Sequence, residues 1–132
     1  MNISDVAERS GISAHTLRYY EKTGLISASQ RSASNYRIYS QDDLTTAKFI
    51  KRSKACGFSL AETATLSAIK HDKSQHVCAE AKVITSTKIT DITQQISQLQ
   101  QMQKTLQQLE CVCCGGQESA EFCTIIASLV QE

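Results

Sequence analysis

The feature that most constrains this chain is a run from about residue 76 to residue 110 that reads as one helix with a narrow apolar stripe. Ile89, Ile92, Ile96, Leu99, Met102, Leu106 and Leu109 recur three or four apart, separated mainly by Gln, Thr, Ser and Lys. The chain contains no proline, so nothing in the run forces a break. At 1.5 Å per residue such a helix is about 50 Å long. That is too long for its stripe to be covered by the rest of so small a protein. A stripe of this width on a solvated helix calls for a partner helix, and the run reads as a coiled-coil seam.

The residues before it punctuate into short helices. Ile3, Val6 and Ala7 share a helical face over residues 3–10, with Asn2 or Ser4 as cap and Gly11 as terminator. Ser13 caps a second helix running through Thr16, Leu17, Arg18, Tyr19 and Tyr20 to Lys22, and Gly24 stops it. Two short helices joined by a glycine-containing turn form a candidate helix-turn-helix. The small polar stretch 27–35 and the alternating Tyr36–Tyr39 predict a short β-hairpin, or wing. Ser40 with Asp42 and Asp43 opens a third helix reaching Cys56, and Gly57 ends it. Ser59 with Glu62 is a capping box for a fourth, from Leu60 to about Ile69. Residues 72–75 are a polar break before the long helix.

Charge divides the same way. Residues 1–70 hold 10 Lys and Arg against 6 Asp and Glu; residues 71–132 hold 4 against 7. The excess of positive charge predicts that only the first part meets a polyanion. No apolar run is long enough to span a bilayer, and the N-terminus lacks a signal region, so a cytoplasmic protein with no membrane partner is expected.

Of six cysteines, Cys111, Cys113, Cys114 and Cys123 cluster near the C-terminus. In a reducing compartment such clustering favours metal ligation over disulfides. Phe122, Ile125, Ile126, Leu129 and Val130 then recur at helical spacing and predict a short amphipathic helix that folds back onto something. Cys56 is expected in the core and His15 and His71 at the surface; Cys111 reads as a plain helix-end residue, with a spare metal ligand as the alternative.

The stretch Arg18–Ile26 (RYYEKTGLI), the wing ending in Tyr36–Tyr39 (YRIY), the helix Asp43–Leu60 and the long helix together closely resemble the MerR family of bacterial regulators. The resemblance covers nearly the whole chain. It implies a mainly α fold: a winged helix-turn-helix domain over 1–72, an antiparallel coiled-coil dimerisation helix over 73–110, and a metal-binding loop and helix over 111–132. It implies no enzyme, but a homodimer that binds double-stranded promoter DNA and activates transcription by RNA polymerase through DNA distortion. The second helix would lie in the major groove, with Thr16, Arg18 and Tyr19 at bases or phosphates and Tyr20 either at the DNA backbone or in the core. Arg31, Tyr36 and Arg37 of the wing would hold phosphates.

Within the family, the tail and Cys78 resemble the zinc-sensing branch and the related cadmium and lead sensors; the copper branch carries Ser where Cys78 stands. That resemblance implies Zn(II), or Cd(II) or Pb(II), held by Cys113 and Cys123 of one subunit with Cys78 of the other, and Cys114 on a second metal. Where the zinc sensors place a loop histidine, this chain has Glu118, a further candidate ligand. His76, two residues before Cys78, is a candidate for contact with that cysteine's surroundings. A thiol-based redox sensor is the alternative, although Cys113–Cys114 is not a CxxC motif.

Overall fold

A computed structural model of the chain describes all residues except Cys114 and Glu132. The fold is mainly α, as expected, and resolves into two compact units, Met1–Lys88 and Ile89–Glu132.

The first unit is built from capped helices. Helix α1 (Ile3–Ser10) opens on a reciprocal box: the Asp5 amide donates to Asn2 Oδ1 at 2.9 Å, and the Asn2 amide donates to Asp5 Oδ2 at 3.0 Å. Gly11 then turns the chain at φ 75°, in the left-handed region, and α2 (Ala14–Lys22) starts under the Ser13 hydroxyl. A Cβ at position 11 would run into the Lys51 ammonium, which donates to the Gly11 carbonyl at 3.1 Å. Helices α3 (Gln41–Ala55) and α4 (Leu60–His71) begin with the same reciprocal device, Ser40 with Asp43 and Ser59 with Glu62.

Helix α1 packs on α2 and α3, and α3 on α4. The core is Val6, Ile12, Leu17, Tyr20, Ile26, Tyr39, Leu44, Ala47 and Ile50. The wing is a two-stranded antiparallel hairpin, β1 (Gln30–Arg31) and β2 (Arg37–Ile38), with Arg31 opposite Arg37. Its first strand lies within the stretch read as polar loop. The chain start is sewn to the wing's end: the Met1 ammonium donates to the Tyr39 carbonyl at 3.0 Å, and the Tyr39 amide donates to the Met1 carbonyl at 2.7 Å.

The polar break at 72–75 contains a 3-10 turn, Lys73–Gln75, and the long helix α5 spans Cys78–Cys111, 34 residues. Ile89, Ile92, Ile96, Leu99, Met102 and Leu106 remain 37% to 64% exposed in the single chain. After α5 come a 3-10 turn, Ala120–Phe122, and α6, Thr124–Val130.

Two expectations change here. Cys56 is exposed rather than core: it is the C-terminal cap of α3 and lines an open groove with Phe49, Phe58 and Leu66. The tail helix starts only at Thr124, so Phe122 belongs to the preceding turn; Ile125 is half-buried, while Phe122, Ile126, Leu129 and Val130 are exposed in the single chain.

Candidate nucleic-acid interface and metal centre

Helix α2 sorts its side chains by face. Leu17 and Tyr20 point into the core, while Arg18 and Tyr19 are exposed. Of the two roles open to Tyr20, core packing is the one observed. Thr16 is half-buried and belongs to the helix start: its amide donates to Ser13 Oγ at 3.1 Å, and the Ser13 hydroxyl donates to Thr16 Oγ1 at 2.9 Å. Arg18, Tyr36 and Arg37 line one groove of about 630 Å³ with Met1, Ile3 and Ser32, between the start of α1 and the wing. Two guanidinium groups and a phenol on the walls of one groove suit a phosphate chain.

Glu21 joins α2 to the wing. Its carboxylate accepts from the Tyr39 hydroxyl at 3.2 Å. Arg37 Nε lies 2.6 Å from Glu21 Oε2, and Arg31 Nη2 lies 3.9 Å from Oε1. The Arg37 Nε is sealed from solvent against the Glu21 carboxylate, at short distance but without an aligned N–H···O bond. Contact with Glu21 raises the Arg37 guanidinium above its ordinary value. Burial first, and the Glu21 charge second, raise the Tyr39 phenol. Arg31 also donates to the Asn35 carbonyl at 3.1 Å, closing the hairpin tip, where Asn35 takes the left-handed φ of 64°.

The cysteines are placed as follows. Cys113 and Cys123, ten positions apart in sequence, are both half-buried and line a concavity of about 320 Å³ with Gly116, Glu118 and Phe122. The Cys113 side chain lies near enough to Cys123 to favour its thiolate. The Ile126 amide, then the Ile125 amide and Cys113, hold the Cys123 thiol below its ordinary value, although neither amide forms a capping bond of good geometry. The Glu118 charge works the other way. The Glu118 carboxylate lies over Gly116, where a Cβ would overlap its Oε2. Cys114, the other expected tail ligand, lies outside the described residues.

Cys78 is exposed as the first residue of α5. Beside it, the Val77 amide donates to Glu80 Oε2 at 2.7 Å, and His76 Nδ1 sits 3.1 Å from both Glu80 oxygens. Contact with His76 and the Val77 amide lowers the Glu80 carboxyl below its ordinary value.

Two soft thiols on one concavity, one of them biased towards thiolate, fit a thiophilic cation in donor type. They fall short in number. Among the described residues no three His, Cys, Asp or Glu side chains converge as ligands. A tetrahedral ion such as Zn²⁺ takes three or four protein ligands.

Residues 1–68 match the family described as MerR HTH family regulatory protein, and residues 44–109 match the one described as MerR, DNA binding. The chain belongs to the MerR family. It is 34% identical over 129 residues to the HTH-type transcriptional regulator ZntR of Escherichia coli, covering 98% of this chain and 92% of the relative. Among solved structures it resembles the transcription regulator PbrR691 of Ralstonia metallidurans in complex with lead(II), with TM-score 0.87, 26% identity and 98% of each chain covered. It also resembles HiNmlR, a MerR family regulator lacking the sensor domain and bound to promoter DNA, with TM-score 0.54, 26% identity, and 79% and 78% of the two chains covered. MerR proteins are DNA-binding regulators and not enzymes. None of this chain's described helices is long and apolar enough to cross a membrane.

Two features of this MerR chain escape a reading of its residues alone. Glu21 looks like a solvated helix charge, and only the fold returns Arg31, Arg37 and Tyr39 to it from 10 to 18 positions away. Glu80 follows Cys78 by two residues, the signal of a helix start, but its hold on His76 depends on how the preceding turn enters α5.

Proposed function

We propose that this chain works as a homodimer that holds promoter DNA through its helix-turn-helix and wing and responds to a thiophilic divalent metal. The ligands would be Cys113 and Cys123 of one copy with Cys78 of a second, and Zn(II), Cd(II) and Pb(II) are the ions these sulfurs suit. Cys114 and Glu118 are further candidate ligands from the same loop.

One observation carries the reading. The chain presents two half-buried thiols on one concavity, yet no third donor converges with them among the described residues. The exposed stripe of α5 requires a second helix in any case, so the missing donor and the missing partner have a common solution. A bound divalent ion would supply a charge centre that fixes three thiolates in one geometry. This chain's own part is to supply the sulfurs, keep the loop compact through Gly116 and Glu118, and carry the change along α5 to the DNA-binding domain.

Ligation can bias the DNA-bound state only if that conformer binds the ion better than its alternative. The bent and untwisted DNA is then offset by contacts from α2 and the wing, and RNA polymerase engages the promoter.

The test is anaerobic titration of purified dimer with Zn²⁺, Cd²⁺ and Pb²⁺, followed by thiolate-to-metal absorption for Cd²⁺ and Pb²⁺ and by promoter-driven transcription. Cys78→Ser should lose metal-dependent activation and at least tenfold in metal affinity while still binding DNA. Wild-type affinity and induction in Cys78→Ser would refute the shared site. The placement of Cys113 and Cys123 on one concavity also favours a redox reading, in which oxidation joins them. Induction by metal under full reduction, with no loss of free thiols other than through ligation, rejects that reading.

A further inference from the structure

The arginines assigned to the wing do not stand free. Arg37 sits on the wall of the groove it shares with Arg18 and Tyr36, and its Nε is sealed against Glu21 at 2.6 Å. The side chain keeps 38% of its exposure with that nitrogen covered, so what remains available is the outer part of the guanidinium fork. Arg31, on the opposite strand, reaches towards the other oxygen of the same carboxylate at 3.9 Å. The buried Tyr39, whose backbone is tied to the chain start, donates its hydroxyl to it at 3.2 Å. One carboxylate, itself only 17% exposed at the end of α2, is therefore the point at which the recognition helix and both wing strands are referred to each other.

The roots of the wing are tied elsewhere, Ser29 to Asp43 of α3 and Tyr39 to Met1, but the strands between them have little of their own to fix their angle to α2. The strands are two residues long, and a hairpin that short has almost no ladder of its own. A negative charge near a polyanion costs affinity unless it does something in return.

We infer that Glu21 is a positioning residue for DNA recognition: it sets the angle between wing and recognition helix by clamping Arg37 and Arg31, leaving the outer guanidinium of Arg37 aimed at phosphate in the Arg18–Tyr36 groove. The inference rests on the assignment of this face to DNA. It separates two properties that a phosphate-binding residue would change together. Glu21 contributes to discrimination between sequences, because register depends on it, and works against non-specific affinity, because its charge repels the backbone.

The experiment uses the full-length protein and two duplexes: one selected from a random pool by the wild-type protein, and a scrambled duplex of the same length. Glu21→Gln keeps the shape and removes the charge. It should weaken binding to the selected duplex about tenfold while binding to the scrambled duplex stays equal or becomes tighter. In a double-mutant cycle, adding Glu21→Gln to Arg37→Gln should cost less than twofold further, because both act through the same guanidinium. An unchanged or improved ratio between the duplexes, or additive losses in the cycle, would overturn the inference. If the Glu21→Gln variant fails to fold, Arg37→Lys takes its place: it keeps the charge but loses the fork, and retention of the ratio overturns the inference equally. Arg18→Ala separates this from the underlying assignment. If Arg18→Ala weakens binding but Arg37→Gln does not, only the role of Glu21 falls; if neither has an effect, the DNA face itself is wrong.

Discussion

Replacing Leu99 by alanine should weaken self-association of this chain by about a hundredfold. Leu99 lies in the α5 stripe and is 63% exposed in the isolated chain, so about that share of its side chain is available to be covered by a partner helix. Leu→Ala removes three carbons at about 0.8 kcal/mol each when fully buried. Scaled by the available share, the loss is about 1.5 kcal/mol per copy. An isologous interface counts each substitution twice, which gives about 3 kcal/mol per dimer. At about 1.4 kcal/mol per tenfold, that is a Kd raised by about two orders of magnitude. Alanine is the best helix former, so a frayed α5 could not explain the loss. Sedimentation equilibrium over a dilution series measures it directly, with Lys104→Ala, on the same helix but off the stripe, as control. A Kd within threefold of wild type would show that the stripe does not face a second copy and would remove the basis for a metal site shared between subunits.

Two further outcomes are expected. Arg18→Ala should weaken binding to a selected duplex and make the plot of log affinity against log salt shallower by about 0.9 if one phosphate contact is lost; a gel-shift titration at several salt concentrations with an unchanged slope would remove Arg18 from the interface. The Glu62 carboxyl is lowered from 4.5 to about 2, chiefly by Lys88, whose Nζ lies 2.8 Å away, and next by the Ser59 amide. Because its folded value lies below its unfolded one, the stabilisation it provides is complete above about pH 4.5 and is lost as pH falls towards 2. Denaturant midpoints should accordingly separate wild type from Glu62→Gln at pH 6 and converge near pH 2, and a gap that does not change with pH would contradict the pairing.

The helix boundaries were legible because they are written in local chemistry. Asn2, Ser13, Ser40 and Ser59 each bond an amide three residues ahead, and Gly11 takes a backbone angle that other residues resist. The long helix was legible from its period and the lack of proline. What distant parts of the chain do to one another was less so. Strand β1, Gln30–Arg31, has no apolar alternation, since it is held only by its partner strand and by Arg31 reaching Glu21 and Asn35. Cys56 has the residue type and neighbours of a core position, but a helix cap at the rim of a groove exposes it. The tail cysteines announce a taste for soft cations. That Cys113 and Cys123 line one concavity is a product of the fold, which their spacing alone does not specify.

That shared concavity bears on affinity before any ligand arrives. Bringing together two groups ten residues apart on a flexible chain costs on the order of 2 kcal/mol in lost freedom. Here the protein meets that cost as it folds. A floppy tail carrying the same sulfurs would have to meet it at the moment of capture and would bind about thirtyfold more weakly for that reason alone. On the proposed reading, the concentration at which the ion is captured is therefore set partly by the fold that brings Cys113 and Cys123 to one concavity and not only by the choice of donor atoms.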